Sequence, residues 1–170
     1  TMKKFWIVAV AVLALAACKK DKSGSQNTNQ TTYEERLVGD WDLTAIHYKT
    51  VIPNPTGGEP INVDDDGQDV SGEFNINKDP NQVNMDISFT ANVPTPFGVL
   101  PVPISQQTAG TWTVSADNST IYLESEGETL ILEVKKNEEN LQVFESVIPN
   151  NIQGFGQIDV LTTLTLKRQN

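Results

Sequence analysis

The chain has 170 residues, a formal net charge of −10 and one cysteine, Cys18. So acidic a balance speaks against nucleic acid and anionic head groups as partners, and a lone cysteine excludes a disulfide framework or a thiolate zinc site within one chain. The length suits one domain with a modest core behind a processed leader.

Residues 1–17 read as a signal peptide: Lys3 and Lys4 give a positive start, Phe5 to Ala14 an apolar run, and Leu15-Ala16-Ala17 a small-residue exit. The run is too short to span a bilayer stably. Loss of the two lysines leaves ten basic against twenty-two acidic residues, or −12. Leu15-Ala16-Ala17-Cys18 resembles the lipobox of bacterial lipoproteins. That resemblance implies a covalent lipid on Cys18, palmitate among its chains, and firm anchoring by two or more acyl chains. Lys19-Lys20-Asp21-Lys22 resembles in part a surface-export tag. Because Lys19 stands where the best-known sorting rule needs aspartate for inner-membrane retention, the expected address is the outer membrane of the cell envelope, with the leaflet, cell surface included, left open. Residues 18–32 form the lipidated cysteine and a polar tether.

The folded domain is expected over 33–170. Tyr33 to Leu37 can hold one helical turn, after which alternation takes over. In 82–92, Val83, Met85, Ile87, Phe89 and Ala91 fall on one face and polar residues on the other. Residues 157–167 repeat the pattern with Ile158, Val160, Leu164 and Leu166, Leu161 excepted. Strands are also expected at 41–48, 72–77, 108–115, 119–124, 129–136 and 141–148, eight in all. Turn clusters between them suggest an all-β, antiparallel up-and-down meander. Three connections are expected to be long: 49–71, 93–107 and 149–156. In a meander all three fall at one end, giving a barrel with a mouth. The run from Val93 to Ile104 is expected to be loop, because its four prolines remove ladder donors. A β-sandwich is the competing fold.

Leu37-Val38-Gly39-Asp40-Trp41 resembles the Leu-x-Gly-x-Trp opening of bacterial lipocalin-like lipoprotein domains. Gly110-Thr111-Trp112 and Leu164-Thr165-Leu166-Lys167 are similar to that family's middle hairpin and last strand. The resemblance implies a lipocalin-like barrel with Trp41 packed across its closed end and a ligand entering at the other. Departures are the missing disulfide and the lack of a helix after the eighth strand.

Within that frame the chain is expected to be a non-enzymatic binding module for a small apolar ligand at the long-loop end, with Phe97, Leu100, Ile152 and Phe155 as contacts. The alternative is an interaction lipoprotein with a filled core, docking an envelope protein through the same loops. Asn62, Asp64, Asp66 and Glu73 fit part of a calcium-loop spacing, but a solvated acidic loop is the plainer account, and no cofactor beyond the covalent lipid is expected. His47 is the sole histidine and no nucleophile motif accompanies it, so no catalytic residues are assigned.

Overall fold

The computed structural model describes residues 32–54, 57–95, 98–152 and 156–170. The expected signal peptide, Cys18, the expected tether before Thr32, Phe97 and Phe155 lie outside the described residues.

A helical turn, α1 (Tyr33–Leu37), opens the domain. Thr32 caps it: its hydroxyl accepts from the Glu35 N–H while the Glu35 carboxylate accepts from the Thr32 N–H, a reciprocal capping box. Nine strands follow: β1 (Gly39–Ile52), β2 (Ile61–Asp66), β3 (Gln68–Asn77), β4 (Gln82–Thr95), β5 (Gly98–Val114), β6 (Thr120–Ser125), β7 (Glu128–Glu138), β8 (Leu141–Ile152) and β9 (Gly156–Arg168). All pair antiparallel in one sheet, and β9 returns to pair with β1. The sheet therefore closes on itself as an up-and-down barrel. The ninth strand arises because β2 and β3 are one rail broken at Gly67, both halves facing β1.

Alternation explains the inner wall. Val83, Met85, Ile87, Phe89, Ala91 and Val93 of β4 are buried, as are Ile158, Val160, Leu164 and Leu166 of β9, while Leu161 points outward. Trp41, Tyr48, Phe74 and Phe144 are fully buried in the same core.

The three expected long loops are a correction. Strands β1, β4 and β8 extend to Ile52, Thr95 and Ile152, and their partners resume at Ile61, Gly98 and Gly156. What look like loops in sequence are long hairpins, all at one end of the barrel. Residues 93–95 and 98–104 are strand despite Pro94, Pro101 and Pro103, and the reason lies in which side of the strand each of these prolines faces. The β4–β5 ladder runs from Thr95↔Gly98 to Gln82↔Thr111 without a register shift. In such a ladder alternate residues turn both N–H and C=O to the same side. Ala109 offers its carbonyl to the Ser125 hydroxyl on the β6 side, 2.7 Å away. Pro101 and Pro103 share that parity, so their missing N–H groups face away from β4. On β4, Asn92 turns its N–H and C=O away from β5, and Pro94 shares that parity. Pro94, Pro101 and Pro103 thus remove donors only from edges without a ladder partner among the described residues.

Those edges exist because the ring is continuous only near α1. Pairing of β3 with β4 stops at Gln68↔Thr90, and pairing of β5 with β6 at Thr111↔Glu124. Beyond those points β2, β1, β9 and β8 form one layer and the β4–β5 hairpin another, with no ladder between the layers among the described residues. The fold is a barrel at the α1 end and two facing layers at the hairpin end.

Candidate functional site

The α1 end is sealed. Arg168 lies in register with Trp41 across the closing β1–β9 ladder, and its guanidinium carbon sits 4.2 Å from the indole centroid. The same guanidinium donates to the carbonyls of Glu139 (2.7 Å), Val38 (2.9 Å) and Arg36 (2.9 Å). Gly39, at φ +138°, leaves room for it, since a Cβ there would collide with Arg168 Nη1. Trp41 donates to the Leu37 carbonyl and Trp112 to that of Asn77. An enclosed space of about 10 Å³ remains among Leu37, Phe74, Trp112, Ile121, Leu123 and Leu132, enough for about one water.

The interior at the hairpin end is packed as well. Ile52, Ala91, Val93, Val102, Ile148 and Val160 are all buried, with no more than 8 % of their surface exposed. Tyr48 packs on Phe89, ring centroids 5.7 Å apart. Its hydroxyl accepts from the Asn92 N–H at 2.7 Å and donates to the Asn92 carbonyl at 3.1 Å. One side chain thereby satisfies both free-edge groups of Asn92 and stitches β1 to β4 where no ladder does. Burial pushes the Tyr48 phenol above its ordinary pKa.

The opposite seam, between β5 and β8, has no such stitch among the described residues. The short β6–β7 hairpin turns back at Ser125 and Glu128, far below the neighbouring hairpin tips. It leaves a cleft of about 610 Å³ in the wall, bounded by Gln106, Gln107 and Thr108 of β5, the 125–129 turn, and Ser146, Val147 and Pro149 of β8. Four glutamates line it, Glu126, Glu128, Glu133 and Glu145, and no lysine or arginine. Lys135 bridges Glu133 and Glu145 at 2.8 Å each, while Glu126 and Glu128 carry no ion pair among the described residues. Ile131 and Val147 add exposed apolar surface, with Leu161 beside Val147 in the ladder. A polar hollow of about 630 Å³ on the outer face of β3, β4 and β5 adjoins it at Gln107 and Glu126.

Of the expected ligand contacts, Leu100 stands on the β4–β5 hairpin, 41 % exposed, and does not line the cleft. Ile152 ends β8 on a separate hairpin. The solvated acidic loop expected here is strand instead, which also bears on the weaker calcium alternative: Asn62, Asp64 and Asp66 alternate along strand β2, and Glu73 lies on β3. Strand geometry spaces alternate residues about 6.6 Å apart instead of converging them. The Asp64 and Asp66 carboxylates are engaged across the β1–β2 ladder. His47 meets Asp64 through Nε2 at 2.8 Å and Asp66 through Nδ1 at 2.9 Å, and Lys49 meets Asp64 at 3.0 Å. Lys49, then His47, holds Asp64 below the usual carboxylate range. Among the described residues no cluster of three or more His, Cys, Asp or Glu is arranged to hold a metal ion, and no helix is long and apolar enough to cross a membrane.

Sequence reasoning missed Tyr48, the wall cleft and Arg168. Only Arg168 left a signal, as the last cation after a regular strand.

No protein-family profile and no curated protein sequence matches the chain. Among solved structures it is similar to an S-type phycobiliprotein lyase from Guillardia theta, at 12 % identity over 81 % of this chain and 91 % of that one, with a TM-score of 0.37. It is also similar to a deswapped triple mutant of bovine odorant-binding protein, at 16 % identity over 79 % of this chain and 76 % of that one, with a TM-score of 0.33.

Proposed function

We propose that the protein is a lipoprotein of the bacterial cell envelope, held on the outer membrane through acyl chains on Cys18, whose barrel is a non-enzymatic binding module. The anchor rests on the Leu15-Ala16-Ala17-Cys18 motif and the leader before it. The observation that carries the binding role is a contrast: the inner wall is filled, while the wall itself is open between β5 and β8 over a cleft of about 610 Å³. A barrel of this kind engages what it binds on its outside.

A second reading, a small apolar ligand gripped at the hairpin tips by Phe97, Leu100, Ile152 and Phe155, is favoured by exposure of Val99 (65 %) and Leu100 (41 %) at one tip. One experiment serves both. The full chain is expressed in a bacterial host with radiolabelled palmitate, purified from membranes and weighed in its native state, with Cys18→Ser in parallel. Label on Cys18, loss of membrane attachment in Cys18→Ser, and photo-cross-linking from position 107 to a membrane or envelope component support the proposal. An unlabelled protein overturns the anchor. Cross-linking from position 100 but not 107, with a co-purifying apolar molecule, replaces the cleft by the hairpin tips.

A further inference from the structure

The free edge of β5 follows from the parity that explains its prolines. Below Pro101 and Pro103, Ser105 and Gln107 turn N–H and C=O to the same side, away from β4; Gln107 lines the cleft, and no strand among the described residues receives either. Ala109, next in the series, already gives its carbonyl to Ser125. On the facing wall, Ser146 turns its carbonyl towards β9, where the Thr162 hydroxyl donates to it at 3.0 Å. Unbroken β8–β9 register then places Val147 and Pro149 with the cleft-facing parity. Prolines thus blunt both edges near the tips, in the manner of edges protected from indiscriminate pairing. The stretch around Ser105 and Gln107 has no such protection, and the opposite seam is closed by Tyr48.

We propose that the β5–β8 cleft receives an extended polypeptide segment bearing basic side chains, added as a strand to Ser105 and Gln107. This rests on the binding-module reading and names its partner class. Main-chain pairing with an exposed edge supplies affinity, and alternate side chains supply selectivity. One face of the added strand meets Ile131 and Val147; its rim meets Glu126 and Glu128, the two cleft carboxylates without an ion pair among the described residues. With four glutamates and no base in the lining, charge complementarity selects a cationic segment over an acidic one.

The test uses the full-length lipidated chain in zwitterionic nanodiscs and two fluorescent capped octapeptides, one alternating lysine and valine, the other glutamate and valine. The lysine peptide is expected to bind at least about tenfold more tightly than the glutamate peptide, less so as salt rises. Gln107→Pro, which deletes the cleft-facing N–H at the parity where Pro101 and Pro103 already stand, is expected to weaken binding about tenfold. Gln107→Ala, which keeps that N–H, is expected to change it less than about twofold. If Gln107→Pro fails to give the wild-type circular dichroism spectrum, Ser105→Pro takes its place. Glu126→Gln with Glu128→Gln is expected to abolish the preference for lysine. Equal affinity for both peptides, equal loss in the proline and alanine variants, or no binding overturns strand addition. Cross-linking from position 107 persisting without peptide binding leaves the binding-module reading standing and removes only this partner.

Discussion

The guanidinium of Arg168 lies 4.2 Å from the ring of Trp41, and the two residues are ladder partners where the last strand closes on the first. Stacking and three backbone acceptors are used at once, a combination that needs a planar fork. Arg168→Lys keeps the charge but loses the fork, and is expected to cost about 2–3 kcal/mol. The check is equilibrium urea unfolding, with a lower midpoint and unchanged slope; an unchanged midpoint would show that the seal does not depend on this contact.

Tyr48→Phe is expected to leave the core volume intact and strip Asn92 of the only partner described for its free-edge N–H. The loss is expected to be about 1–3 kcal/mol, since a partly buried donor is left unpaired. Amide hydrogen exchange at Asn92 is expected to accelerate in step. A stable variant with a still-protected Asn92 amide would mean that another group closes this seam.

The turn before β6 titrates. Hydrogen bonds from the Ser115 and Ser119 hydroxyls and from the Ser119 N–H hold the Asp117 carboxyl down to about 2. A carboxyl depressed in the folded state contributes stability that is complete above its unfolded value of about 4 and is lost as pH falls through the folded value. Asp117→Asn is therefore expected to be less stable near neutrality, and the difference from wild type is expected to shrink between pH 4 and 2. Thermal melts across that range provide the check.

How far these features were legible depends on the distance over which each is encoded. Strands β4 and β9 announce themselves, because burying one face imposes a period of two on neighbouring residues. The hairpin ends do not. A proline warns of a missing donor, but whether that donor was needed depends on which side of the strand a partner lies, and pairing over a distance decides this. Hence Pro101 and Pro103 read as loop yet stand in β5. The acids of β2 have calcium-like spacing but become alternate residues of a strand tied to His47 and Lys49. The wall cleft left no trace at all: it is the difference in length between one short hairpin and its long neighbours.

The measurement that bears most directly on the account is residue-resolved amide hydrogen exchange on the full-length protein, comparing the two seams in one sample. Asn92, held by Tyr48, is expected to be protected to near the global unfolding free energy, while Ser105 and Gln107 exchange within about tenfold of unstructured rates. Protection of Ser105 and Gln107 equal to that of Asn92 would mean that the wall between β5 and β8 is closed, and would contradict an outward-facing binding cleft.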